Sequence, residues 1–133
     1  MNPLRLEILN GEFSVCQLKG SPCLDWTADF LFLAKTDEEL SLVCRAGQEP
    51  AGCMAIEPGW RAFRVAGPLD FGLVGILAGL ADALAQAGIS IFAVSTFNTD
   101  YILVRSASFT AARAALRAAG HLVLSADATD EAE

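Results

Sequence analysis

In the second half of the chain, apolar residues switch between an alternating spacing and a helical one, and each switch marks an element. Trp60 to Val65 alternates, with Arg61, Phe63 and Val65 on one side and Trp60, Ala62 and Arg64 on the other, which predicts a strand. A Gly67-Pro68 turn follows, and Asp70 stands where a helix N-cap would. Leu73, Ile76, Leu77, Leu80 and Leu84 then keep helical spacing until Gly88, a C′ residue. Ile89 to Phe97 is apolar on both faces and predicts a central strand covered on both sides. Phe97-Asn98-Thr99-Asp100 reverses the chain into Tyr101 to Arg105. Ser108 caps a second helix with Phe109, Ala112, Leu116 and Ala119 inward and Arg113 and Arg117 exposed. Gly120 stops that helix, and His121 to Leu124 forms a last strand. Strand, helix, strand, strand, helix, strand is the ferredoxin-like βαββαβ order.

The first half carries a less regular set of the same parts. Phe13 to Leu18 and Asp29 to Ala34 pattern as strands, Ser21 to Ala28 is too short for a full helix, and Asp37 to Leu40 suits a single helical turn before a strand at Ser41 to Arg45. Gly47 to Gly59, with two prolines and three glycines, reads as a linker. The expected class is therefore α+β with two ferredoxin-like units, the first lacking its long helix. The expected boundaries are residues 1–58 for the N-terminal unit, 59–126 for the C-terminal unit and 127–133 for an acidic, disordered tail.

Over residues 72–87 the polar side chains are Asp82 and Gln86 alone, while Gly72, Gly75, Gly79 and Ala83 form a stripe of small residues beside the leucines. A helix without a charged face is covered on more than one side. Each interior glycine costs about 1 kcal/mol against alanine, which points to a close-packing requirement. Another subunit, or the first half of the same chain, would satisfy it.

Composition narrows the function classes. The 133 residues hold one domain or two small units, and the 53% apolar content supports a folded core. The net charge is −7, and setting aside the four acids of the tail leaves twelve acids against nine bases, a net of −3. Nucleic acid and polybasic membrane binding are poor matches for that balance. No run is long enough for a membrane span or signal-peptide core, which leads to the expectation of a cytoplasmic protein. Cys16, Cys23, Cys44 and Cys53 contain no C-x-x-C pair, and His121 is the one histidine, so neither a metal site nor a cofactor is expected.

Trp60-Arg61, the run Val65-Ala66-Gly67-Pro68-Leu69-Asp70-Phe71, Gly75-Ile76-Leu77, Ala87 to Phe92, Ser95-Thr96-Phe97, Thr99 to Val104 and Gly120-His121 resemble bacterial ACT-domain proteins of the CASTOR type. Phe13 to Cys16 and Glu38 to Cys44 resemble the N-terminal half of the same small proteins, so the resemblance spans most of residues 12–124. It implies a non-catalytic regulatory module that binds a small molecule, often an amino acid, and commonly pairs sheets side by side as a homodimer. It also implies that the loop from Gly67 to Phe71, between first strand and first helix, contributes to the ligand site.

An amino acid needs N–H donors for its carboxylate and an acceptor for its ammonium. The N–H groups around Asp70 and Phe71 suit the first, with Gly67 and Pro68 shaping the approach ahead of Leu69; the carboxylate of Asp70 or Asp100 suits the second, and Ser95 and Thr96 add hydroxyls. Each residue has a plainer explanation as well. N-capping, worth about 1 kcal/mol, accounts for Asp70, hairpin chemistry for Thr99 and Asp100, a favourable charge at a helix C-terminus for His121, and packing for Trp60 and Tyr101. The competing functions are a structural interaction module without ligand, an RNA-recognition domain of the same element order, which would need a basic face and paired aromatics, and a small enzyme, for which no nucleophile–base pair is visible.

Overall fold

The computed structural model describes residues 3–66 and 74–125. The chain forms two compact units, one of Gly11–Trp60 and one of Met1–Asn10 with Arg61–Glu133. It enters the larger unit twice, first through a strand at its start and again halfway along strand β5.

In the smaller unit, β2 (Phe13–Leu18), β3 (Leu31–Lys35), β4 (Leu40–Arg45) and the first half of β5 (Ala55–Val65) lie in the order β3-β4-β2-β5, all antiparallel. This is the ferredoxin-like strand order with both helices replaced by loops. Cys16, Leu18, Leu42 and Cys44 form its buried cluster, with Leu24, Leu31, Leu40 and Cys53 packed against it. Asp37 and Glu38 sit in a hairpin turn rather than a helical one, since the Thr36 N–H donates to the Glu39 carbonyl at 2.9 Å. The expected linker is shortened too. Glu57, Pro58 and Gly59 lie inside β5, where Pro58 and Gly59 together oppose Ser14 of β2, between the pairs Trp60–Phe13 and Glu57–Val15. Gly59 takes a φ of 81° to absorb the extra residue, and the exposed Pro58 withholds no ladder bond at a bulged edge.

The larger unit holds β1 (Arg5–Ile8), the rest of β5, α1 (Ile76–Gln86), β6 (Ile91–Ser95), β7 (Asp100–Arg105), a 3₁₀ turn at Ser106–Ser108, α2 (Phe109–Ala118) and β8 (Leu122–Ser125). From β5 onward this is βαββαβ, and β1 is inserted between β5, to which it is antiparallel, and β8, to which it is parallel. Leu80 and Leu84 of α1 and Ala112 and Leu116 of α2 share a core with Leu6, Ile8, Phe63, Val65, Ile102, Val104 and Val123. Burying each large side chain contributes about 1.5–3 kcal/mol. Both helices end in the same motif: the Gly88 N–H reaches Ala85 and the Ile89 N–H Leu84, as Gly120 reaches Arg117 and His121 Leu116.

Several details depart from the sequence pattern. Helix α1 begins at Ile76 after Gly75, whose φ is 85°. Strand β6 is not central: among the described residues it pairs with β7 alone, and Ala93 and Ser95 are exposed. Ser108 stands at the N-cap of α2, but its hydroxyl makes no capping bond. Ala119 is exposed, while Arg117 is half-buried and donates from Nη2 to the Val123 carbonyl at 2.9 Å. His121 is buried and its Nδ1 accepts the Leu4 N–H at 3.1 Å, so the ring works as a neutral acceptor that starts the β1–β8 pairing. Burial holds its pKa below the ordinary histidine value, the reverse of a cation beside a helix end. No described helix is long and apolar enough to cross a membrane.

Candidate functional site

The residues expected to contact a ligand come from two segments. Gly67, Pro68, Leu69, Asp70 and Phe71 lie outside the described residues. The described start of α1 is capped by Gly75 without a side-chain bond, and the Gly79 N–H closes its first turn on the Gly75 carbonyl at 2.9 Å.

Ser95, Thr96 and Asp100 are described, and the β6–β7 hairpin brings them together. Ser95 and Asp100 are directly opposed as the last pair of the ladder, and Ser95 Oγ donates to Asp100 Oδ1 at 2.6 Å. Across the turn the Thr96 N–H donates to the Thr99 carbonyl at 2.8 Å, and Thr96 Oγ1 accepts the Thr99 N–H at 3.3 Å. These bonds fix the hairpin tip and hold the Asp100 carboxylate against Ser95. A carboxylate has acceptor capacity beyond one hydroxyl, so Asp100 can hold Ser95 and an ammonium at once. Phe97, at the tip, is 82% exposed, an apolar surface next to those polar groups.

Thr99 determines where this hairpin sits. Its Oγ1 donates to the Val65 carbonyl at 2.6 Å, and the residue is only 6% exposed. Val65 is the last residue of β5, and Ala66 after it donates to the Arg5 carbonyl at 2.9 Å. The hairpin bearing Ser95, Thr96 and Asp100 is thereby tied to the point where the chain leaves the sheet towards Gly67. Turn chemistry alone did not identify this bond. The hairpin is also the second copy of an internal repeat: β3 and β4 recur sixty residues later as β6 and β7, and Thr36 makes with Glu39 the bonds that Thr96 makes with Thr99. Glu39 occupies the Thr99 position in the first copy, so the hydroxyl that reaches β5 belongs to the second copy alone.

The other chemistry-bearing side chains lie elsewhere. Arg64 Nε and Glu7 Oε1 pair at 2.8 Å across β5 and β1. All four cysteines are free and belong to the smaller unit. Among the described residues, no group of three or more His, Cys, Asp or Glu is arranged to hold a metal ion.

With this geometry in place, known proteins give the lineage. An X-ray structure of a protein from Agrobacterium tumefaciens is 34% identical, with 98% of this chain and 100% of that one aligned at a TM-score of 0.82. A protein of unknown function from Vibrio cholerae, described as a possible transport protein, is 23% identical over 87% of this chain and 89% of its own, at a TM-score of 0.66. The ligand-free regulatory subunit of aspartate kinase from Thermus thermophilus shares the fold at 11% identity and a TM-score of 0.61, over 90% of this chain and 99% of that one. No functionally curated protein sequence matches the chain. Residues 55–118, just under half of the chain, match the ACT domain model and take in all of β5, both helices and the hairpin that carries Ser95, Thr96 and Asp100.

Proposed function

We propose that this chain is a non-catalytic regulatory ACT-domain protein of the CASTOR type that binds an amino acid. The ligand carboxylate rests on the backbone N–H groups around Asp70 and Phe71, with Gly67, Pro68 and Leu69 shaping the approach to them. Its ammonium bonds the Asp100 carboxylate, with Ser95 and Thr96 contributing hydroxyls. The observation that carries this reading is the Thr99 bond to the Val65 carbonyl, which anchors the hairpin beside the origin of that loop. The likeness of the fold to an aspartate kinase regulatory subunit supports a regulatory role.

Regulation requires two states with different ligand affinity. We place that difference at a subunit interface of a cytoplasmic homodimer; the β6 edge, which among the described residues pairs with β7 alone and has Ile91, Phe92 and Val94 half-buried, supports pairing there. A thermal-stability scan across the common amino acids tests the reading. At a hundred times its dissociation constant, a ligand stabilises by about 2.7 kcal/mol, a rise of roughly 8–10 °C for a chain of this size. The Asp100→Asn variant should lose most of that rise while keeping the ligand-free melting temperature within a few degrees. A flat response to every amino acid would instead favour an interaction module without ligand.

A further inference from the structure

We propose that the N-terminal end of α2 is an oxyanion site that takes the dianion of a phosphate monoester, at the opposite end of β7 from Asp100. Asp100 opens that strand and Arg105 closes it, roughly 17 Å apart at the usual rise of a strand. The site is therefore separate from the hairpin face and does not rest on the amino-acid reading.

Two arginines converge on the first residue of the helix. Arg61 and Phe63 stand two apart on β5 and share one face of it, and the Phe63 ring stacks on Phe109 with centroids 5.4 Å apart. The Arg61 guanidinium carbon is 4.0 Å from the Phe109 centroid, and that of Arg113, one helical turn on, is 5.4 Å from it. Contact through the ring face holds a guanidinium in place without using its in-plane N–H donors. Arg61 Nε is buried and has no hydrogen-bond partner, and among the described residues no carboxylate pairs with Arg61.

The turn that leads into α2 has the same deficit of acceptors. Ser106 Oγ is buried without a partner, no side chain caps the helix, and its first turn holds no acidic residue. A helix N-terminus favours negative charge, which an Asp or Glu in the first turn commonly supplies. This chain does the reverse: it has sixteen Asp and Glu, yet Tyr101 to Ser125 contains none of them and three arginines. Buried donors without acceptors are rare and costly. A guanidinium N–H and a hydroxyl of that kind, both at the start of one uncapped helix, call for an acceptor with several anionic oxygens. A carboxylate offers two. A phosphate monoester offers three, enough to accept from Arg61, Arg113 and either Ser106 or a helix N–H together, and the planar fork of arginine suits it.

The test titrates the full chain with inorganic phosphate at constant ionic strength, reading backbone amide shifts by NMR and the dissociation constant by calorimetry. Saturable shifts should centre on Arg61 and residues 106–110. Arg61→Gln should weaken binding about tenfold or more, and Arg61→Lys, which keeps the charge and loses the fork, should recover only part of it. Lys35→Gln, which removes an exposed charge from β3, should change nothing. Ser106→Ala should also weaken phosphate while leaving the ligand-free melting temperature unchanged or higher, because it removes a stranded hydroxyl. Acetate should bind at least about tenfold more weakly than phosphate. Replacing Asp127, Asp130, Glu131 and Glu133 by their amides separates a free anion from the chain's own carboxylates. Phosphate that binds only to that neutralised variant, an acetate affinity equal to that of phosphate, shifts scattered over Arg5, Lys19 and Lys35, or a Ser106→Ala variant that loses stability would each overturn the inference.

Discussion

Replacing Thr99 with valine removes one hydroxyl and keeps the shape of the side chain. The lost bond is 2.6 Å long and its donor residue is 6% exposed, so the Val65 carbonyl cannot simply exchange it for water. A net hydrogen bond contributes about 0.5–1.5 kcal/mol, and stranding a buried partner raises the cost to about 1–3 kcal/mol. The bonds between the Thr96 and Thr99 backbones do not involve Thr99 Oγ1, and the turn itself keeps them. Urea unfolding followed by circular dichroism should therefore show a midpoint shift worth about 1–3 kcal/mol with an unchanged slope. Thr99→Ser retains the donor and should recover most of it. With an amino acid that stabilises the wild type, Thr99→Val should also lose affinity, because the hairpin is no longer tied to the end of β5. A valine variant within 0.5 kcal/mol of wild type, or a serine variant as weak as valine, would show that the hydroxyl does not anchor the hairpin.

Two further outcomes follow from the larger unit. His121 is held neutral by burial, below the ordinary value of about 6.5 that it regains on unfolding. The unfolded chain therefore binds the extra proton, so the stability from this residue is complete above about pH 6.5 and declines as the pH falls towards the folded value. Wild type should lose stability between pH 6.5 and 5 while a non-titrating His121→Gln variant stays flat over that interval; parallel profiles would contradict the assignment. Leu84 is fully buried between α1 and the sheet, and Leu84→Ala should cost about 2–5 kcal/mol in urea unfolding. A loss below 1 kcal/mol would remove Leu84 from the core.

The hairpin and the helix ends were legible in the sequence because local chemistry specifies them. Gly88 and Gly120 are required at their positions by positive φ angles of 76° and 100°. The Ser95 to Asp100 segment carries turn residues between two apolar runs, and the structure places its reversal there. Of the candidate site, the sequence therefore located the hairpin face formed by Ser95, Thr96 and Asp100. It did not reveal that Thr99 reaches Val65, since that contact spans thirty-four residues and depends on β7 lying beside β5. The repeat of Thr36 as Thr96 was visible in principle, but it acquires meaning only when both turns are seen making the same bonds.

By itself the amino-acid sequence determined the strand and helix order of the larger unit from β5 onward, because periodicity and glycine caps act over one or two turns. It also determined that the smaller unit lacks a long helix, since twelve residues between β2 and β3 leave no room for one with its connections. Tertiary structure alone decided which strand is an edge. Ile91 to Val94 is apolar on both faces in either position, and only its pairing, with β7 alone among the described residues, distinguishes them. The same holds for β1, whose four residues alternate too briefly to declare a strand and are stabilised by ladders to residues near 65 and 125. His121 makes the point at a single atom: its place after Gly120 suggests a cation at a helix end, and the Leu4 N–H, over a hundred residues away in sequence, makes it a buried neutral acceptor.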